Sequence, residues 1–122
     1  MKVALIQIRP DADAVMEEEI ERAKEAMRTG MPSDPLTTVT FSSAAQMAAV
    51  FTAKRFELIS MLQKTGPSSI RGLTRALGRD VRRVHDDVAV LIDWFIIERN
   101  ETGKVFVPYD IIRIGAEMRA AA

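Results

Sequence analysis

The chain has 122 residues, of which 48% are hydrophobic and 28% charged, which is typical of one globular domain or one and a half. It has no cysteine, which excludes structural disulfides and thiolate metal sites and fits a reducing, cytoplasmic location. The apolar run in its first ten residues is too short for a membrane span or a signal peptide, so we expect no membrane association.

A strand, a helix and a second strand are predicted in residues 1–42. Lys2 to Ile8 alternates, with Ala4, Ile6 and Ile8 on one side and Val3, Leu5 and Gln7 on the other. After Pro10, Asp11 or Asp13 is expected to cap a helix from about Ala14 to Thr29, which Gly30 and Pro32 end before a loop from Met31 to Pro35. The β-branched segment from Leu36 to Phe41 predicts the second strand.

Two strands are marginally stable in water, so this N-terminal segment needs further pairing. Either the segment from Asp110 to Ile114 or a second copy of the chain could supply it. We assign residues 1–42 as a dimerisation or partner-binding extension and expect a homodimer formed through the edges of these strands. The helix carries an apolar stripe of Val15 or Met16, Ile20, Ala23 and Met27. Its crowded glutamates, Glu17, Glu18, Glu19 and Glu21, favour a solvated face over a partner-binding surface or a mimic of nucleic acid.

Three helices are predicted between residues 43 and 77. Ser43 and Gln46 form a capping-box pattern that opens a helix through about Phe51. Thr52 is predicted to be the N-cap of a second helix from Ala53 to Lys64. The pattern leaves open whether these two helices are one bent helix. Ser68 or Ser69 caps the next, whose apolar stripe is Ile70, Leu73 and Leu77.

A tight turn and a basic helix follow. Gly78 supplies a left-handed turn residue and Asp80 caps a third helix, in which Val84, Val88, Leu91 and Phe95 fall in one sector and should face the core. A hairpin is then expected, with Ile96, Ile97, Val105 and Val107 as strand residues around Gly103. Helix, turn, basic helix and hairpin together predict an α+β fold: a winged helix-turn-helix DNA-binding domain in residues 43–122.

The charge distribution supports this interpretation although the net charge is zero. Residues 1–50 hold five Lys and Arg against eight Asp and Glu, whereas residues 51–122 hold twelve against nine. Six cations lie between Lys64 and His85, with Asp80 as the one acid. An arginine-rich solvated helix face is the alternative explanation.

The candidate DNA contacts lie on the exposed side of these elements. Arginine can fork onto guanine or a phosphate, and a helix N-terminus adds backbone donors. Asp86 opposes this role unless it pairs with Arg82, which we favour, or accepts from cytosine N4. His85 is more typical of a boundary residue than of a base contact. Arg99 and Lys104 could reach a phosphate from the hairpin, although a plain hairpin that closes the core is equally consistent. The predicted contacts are Ser69, Arg71, Arg75, Arg79, Arg82, Arg83, His85 and Lys104.

The run from Thr52 to Ile114 resembles small prokaryotic winged-helix transcriptional regulators of MarR-like fold. The matching pieces are KRFELISML, SIRGLTRALGRDVRRVHDDVAVL and IIERNETGKVFVPYD, of which GRDVRRVHDDV is the most specific. The resemblance implies sequence-specific binding of double-stranded DNA as a dimer. Several members resemble antitoxins encoded beside a toxin gene, which makes a cognate toxin a candidate partner. The group usually has Gly, followed by an aliphatic residue, after the recognition helix. In this sequence Phe95 occupies the Gly position. Either the left-handed turn is kept at Phe95 or the helix continues past it.

No catalytic arrangement is evident, because the chain has one His, no Cys and no Gly-rich phosphate loop. We therefore expect no enzyme activity, no metal and no cofactor. The runner-up function is a winged-helix adaptor that binds protein and not DNA.

Overall fold

The computed structural model describes residues 1–30, 37–118 and 120, and the chain is a mixed α+β protein. The described residues form five helices and five strands. In chain order these are β1 (Val3–Ile8), α1 (Ala12–Thr29), β2 (Thr37–Phe41), α2 (Ala44–Val50), α3 (Ala53–Thr65), α4 (Ile70–Leu77), α5 (Val81–Asp93), β3 (Glu98–Arg99), β4 (Val105–Phe106) and β5 (Ile111–Gly115). The loop predicted from Met31 to Pro35 and the predicted strand start at Leu36 lie outside the described residues.

The chain divides into two compact units. The sheet unit contains Lys2–Met47 and Ile111–Ala122, and the helical unit contains Met1 and Ala48–Asp110. The sequence placed a boundary between residues 42 and 43 and kept the C-terminal residues with the helices. In the structure β5 belongs to the sheet unit, because it pairs with β1.

The sheet unit is built on three parallel strands in the order β2-β1-β5. Ile6 is level with Val39 on one side and with Ile114 on the other. The predicted alternation in β1 is confirmed, because Ala4 and Ile6 are fully buried. Both edges of β1 are paired within the chain, and the C-terminal segment, one of the two sources considered for a further strand, supplies β5. β1 therefore has no free edge through which the expected homodimer could form.

Helix α1 begins at Ala12, two residues before the predicted start, and ends at Gly30, which is left-handed (φ 68°). Asp11 occupies the N-cap position, but its side chain makes no capping hydrogen bond. It instead accepts from Arg9, whose guanidinium also donates to Glu18 at 3.1 Å. These hydrogen bonds hold the pKa of both the Asp11 and the Glu18 carboxyl below their usual values.

Helices α2 and α3 are separate, and both follow the predicted caps. The backbone N–H of Gln46 donates to Ser43 Oγ at 3.1 Å, while the Gln46 side chain accepts from the Ser42 N–H rather than from that of Ser43. Thr52 then caps α3 by accepting from the Arg55 N–H. Because each cap depends on a hydrogen bond within three or four residues, local sequence indicates it well.

The core of the helical unit is formed by apolar residues of α3, α4, α5 and the hairpin. Leu58 and Leu62 of α3, Leu73 of α4, Val84, Val88 and Leu91 of α5, and Ile96, Ile97 and Val105 are almost fully buried. The predicted α5 stripe is therefore confirmed for Val84, Val88 and Leu91.

Phe95 departs from that stripe, because its side chain is 71% exposed. Helix α5 ends at Asp93 and Phe95 adopts φ 64°, so the 100° step no longer applies. The Phe95 N–H donates to Ile92 O and the Ile96 N–H to Leu91 O, which is the Schellman pattern. Tyr109 Oη also donates to Phe95 O at 2.8 Å. The left-handed turn is kept without glycine.

Candidate nucleic-acid interface

Helices α4 and α5 are joined by a three-residue turn that is fixed at each end. Gly78 has φ 64° and donates its N–H to carbonyls of the last turn of α4. Asp80 accepts from the Arg83 N–H at 3.3 Å and so caps α5. The left-handed conformation favours glycine at position 78. This short connection sets where the first turn of α5 lies relative to α4.

Four arginines project into solvent from these two helices. Arg71 and Arg75 lie one turn apart on the side of α4 opposite the buried Leu73, and Arg82 and Arg83 lie in the first turn of α5. All four residues are exposed. Within residues 1–30, 37–118 and 120, none of their guanidinium groups has an ion pair or hydrogen bond. They are free to meet an anionic ligand.

Arg79, also among the predicted contact residues, does not belong to this exposed set. Its side chain is only 12% exposed, and its Nη2 donates to Asp87 Oδ2 at 2.7 Å. The other Asp87 oxygen accepts from Arg55 Nε at 3.0 Å. A carboxylate that is 15% exposed therefore bridges two guanidinium groups, one from α3 and one from the turn before α5.

This Arg55–Asp87–Arg79 cluster holds the turn against α3. Arg55 extends it by donating through Nη1 to the carbonyls of Ala49 and Val50, at the C-terminal end of α2. Charge-assisted hydrogen bonds of this kind are stronger than neutral ones. No local pattern indicated the cluster, because its members are eight and 32 residues apart. The one available signal was Asp87, a carboxylate flanking the apolar stripe of α5.

The remaining polar residues on this surface have local roles. Ser69 Oγ accepts from the Gly72 N–H at 3.0 Å, so this predicted contact residue serves as the cap of α4. His85 is exposed, with its Nδ1 3.8 Å from Asp86 Oδ1. The expected ion pair between Asp86 and Arg82 is not formed in the described part of the chain.

The hairpin is short and its turn is organised by one asparagine. Asn100 Oδ1 accepts from the N–H groups of Thr102 and Lys104 and from the Thr102 hydroxyl, and Gly103 adopts φ 82°. Ser68 pairs with Val105 through two backbone hydrogen bonds, which tie the start of α4 to the hairpin. Lys104 is exposed, whereas Arg99 donates to Gly103 O at 3.2 Å.

A family model, HVO_A0114, matches residues 50–114, which is just over half of the chain. The chain belongs to the HVO_A0114 family. The matched segment contains helices α3, α4 and α5, the hairpin and every residue expected to contact DNA. No curated protein and no solved structure matches the chain. The family's name states no activity, so the function of this HVO_A0114 member is argued from its surface.

The surface offers positive charge rather than reactive groups. Within the described residues, no three His, Asp or Glu side chains lie close enough together to hold a metal ion. None of the helices described has the length and apolar character needed to cross a membrane. What α4 and α5 present chemically is a set of guanidinium groups beside two capped helix N-termini. Such an arrangement suits phosphate oxygens.

Proposed function

We propose that the helical unit is a winged helix-turn-helix domain and that the protein is a transcriptional regulator that binds specific duplex DNA. The observation that carries this proposal is the set of four exposed, unpaired arginines on α4 and α5. Surface arginines commonly pair with neighbouring carboxylates; here the nearby carboxylate Asp87 is occupied by Arg55 and Arg79. The positive charge that remains is available to a polyanion.

In this proposal α5 is the recognition helix. Its buried stripe turns Arg82 outward, and Arg83 lies on the flank of the same turn. A guanidinium at this place can fork onto guanine O6 and N7. Arg71 and Arg75 are suited to phosphates, because they extend from the neighbouring helix. The β3–β4 hairpin corresponds to the wing and contributes the exposed Lys104.

Acidic residues on the same surface are expected to restrict the sequences bound. Asp86 is exposed, and in the absence of an Arg82 pair its carboxylate would repel phosphates but accept a hydrogen bond from cytosine N4. Glu98 and Glu101 similarly reduce the positive charge of the hairpin. We therefore expect nonspecific affinity to be weak and discrimination between base sequences to matter more.

The test compares Arg82→Ala with Arg113→Ala, an exposed arginine of β5 outside this surface. The probe is the duplex enriched by the protein from a random-sequence library, measured by fluorescence anisotropy. Loss of a base contact should weaken Arg82→Ala by about 1–3 kcal/mol, roughly five- to 150-fold. Arg113→Ala should bind as the unchanged protein does. Equal affinity of both variants, with unchanged circular dichroism, would overturn the assignment of α5.

A narrower proposal, an autoregulating antitoxin, follows from the resemblance noted in the sequence. It requires that the DNA upstream of the protein's own gene competes with the enriched duplex and that the neighbouring gene encodes a toxin. If no duplex is enriched and binding occurs only to a partner protein, independently of salt, the domain is a protein adaptor instead.

A further inference from the structure

Helix α1 presents its apolar stripe to solvent. Met16 is 66% exposed, Ile20 47% and Met27 85%, and Ala23 between them is also exposed. The spacings of four, three and four residues place all four on one narrow strip of the helix. An amphipathic helix beside a sheet normally turns such a strip toward that sheet.

The opposite side of α1 faces the sheet. Ala14, Glu18 and Glu21 line a groove whose other wall includes Leu5, Gln7 and Thr38 of the sheet, with Glu17 at the edge of the groove, between this side and the stripe. Glu18 lies about 200° around the helix from Met16. Since Arg9 at the end of β1 binds Glu18 through two hydrogen bonds, the rotation of α1 is fixed with the apolar stripe outward.

We infer that this outward stripe packs against the same stripe of a second copy of the chain, with the two α1 helices antiparallel. The spacing of the stripe is that of a coiled-coil seam, in which apolar residues of one helix insert between those of another. In this arrangement Met16 would lie level with Met27 of the second copy. Ile20 would lie level with Ala23 of the second copy. This inference concerns the sheet unit and does not depend on DNA binding.

Charge complementarity selects the second copy and the antiparallel direction. The first half of α1 carries Glu17, Glu18 and Glu19 and no basic residue, whereas its second half carries Arg22, Lys24 and Arg28 against Glu21 and Glu25. An antiparallel pair places each acidic half beside the basic half of the other helix, and the two helix dipoles also oppose. Glu17 flanks the seam on the same side as Lys24 of the other helix, and two-fold symmetry makes this contact twice. In the described part of the chain, Lys24 forms one ion pair, with the exposed Glu21 at 3.5 Å.

The seam spans three turns, so the interface is smaller than the roughly 1,600 Å² of standard complexes. We therefore expect a dissociation constant on the order of 10 µM. Sedimentation equilibrium of the full chain between about 1 and 200 µM should show this monomer–dimer equilibrium without DNA. A chain that is monomeric over the whole range would overturn the inference.

The first variant is Ile20→Asp, and its matched control is Val81→Asp. Both are exposed helical residues, at 47% and 48%, but Val81 lies in α5. Ile20→Asp should weaken dimerisation about 30-fold or more, because it places a carboxylate at the centre of the seam. Val81→Asp should leave the equilibrium unchanged. Equal dimerisation by both variants would contradict the proposed interface.

A charge exchange tests the direction of the helices. Glu17→Lys alone and Lys24→Glu alone should each weaken the dimer by about fivefold, and the double variant should restore it. These residues are exposed, so the fold is not at risk. If the double variant loses as much dimerisation free energy as the two single variants lose together, the antiparallel contact is contradicted.

Cross-linking gives an independent readout, because the chain contains no cysteine. In the antiparallel pair, the two copies of residue 16 lie about 16 Å apart along the axis, too far for a disulfide. Met16→Cys alone should therefore remain uncross-linked under mild oxidation, whereas a mixture with Met27→Cys should form a disulfide-linked heterodimer. Cross-linking of Met16→Cys with itself would indicate parallel helices and overturn the inference.

Discussion

Removal of the Asp87 side chain should be among the most destabilising single changes on the α4–α5 surface. In Asp87→Ala, Arg55 and Arg79 keep their charges but lose their shared carboxylate. Removing one partner from a buried ion pair typically costs about 3–5 kcal/mol. The three side chains are 12–17% exposed, and Arg55 retains two carbonyl partners, which together indicate the lower end, about 3 kcal/mol.

Removing the Arg79 guanidinium instead should lower the free energy of unfolding much less. Arg79→Met removes a buried cation whose Nε and Nη1 have no hydrogen-bond partner among the described residues, and it leaves Asp87 paired with Arg55. We expect a loss of about 1 kcal/mol or less, since an apolar side chain of similar length can fill the same space. The double variant should lose less than the sum of the two single losses.

Urea denaturation followed by circular dichroism measures all three variants. Equal destabilisation by Asp87→Ala and Arg79→Met, or a loss below about 1 kcal/mol for Asp87→Ala, would refute the bridging role of the carboxylate. The same preparations test whether Arg79 contacts DNA. If it holds the turn and does not contact DNA, Arg79→Met should bind the enriched duplex within about twofold of the unchanged chain.

Three further changes have expected outcomes. Leu91→Ala should lower the free energy of unfolding by about 2–5 kcal/mol in urea, because the leucine is fully buried; a smaller loss would contradict the phase of α5. Phe95→Gly should raise it by about 1 kcal/mol, because glycine adopts φ 64° without strain and the exposed ring loses little packing; a destabilised variant would show that the ring makes a contact. Folding lowers the pKa of the Asp11 and Glu18 carboxyls beside Arg9. These carboxylates therefore stabilise the fold at pH values above their ordinary pKa values of 3.8 and 4.5, and the stabilisation is lost as the pH falls. The stability difference between the unchanged chain and Arg9→Gln should therefore shrink from about pH 5 to about pH 2 at low salt, and a difference independent of pH would exclude the ion pairs as its source.

The features that the sequence predicted well are those set by neighbouring residues. The caps at Thr52, Ser69 and Asp80 each depend on one hydrogen bond to a residue three positions later. The left-handed Gly78 is likewise a local matter of backbone sterics. These signals also located the two helices that carry the exposed arginines.

The features that the sequence did not predict depend on residues far apart in the chain or on the point at which a helical periodicity ends. Phe95 fits the periodicity of α5, but the Schellman turn ends that helix two residues earlier and exposes the ring. Arg79 and Arg82 are both arginines near the start of α5, and the sequence did not show that Arg79 is 12% exposed and paired with the distant Asp87. The sequence named the segment from Asp110 to Ile114 as one of two sources of a further strand, but it could not decide between them, because β5 lies far from β1 in the chain.

The salt dependence of DNA affinity tests the central claim most directly. The full chain is titrated with the enriched duplex at several concentrations of NaCl from about 50 to 200 mM. If Arg71 and Arg75 each neutralise one phosphate, the logarithm of the association constant should fall with the logarithm of salt at a slope of about −1.8 per bound chain, or more steeply where further cations reach phosphates. An affinity that does not change with salt, or no binding to any duplex at the lowest salt, would contradict the assignment of this surface to DNA.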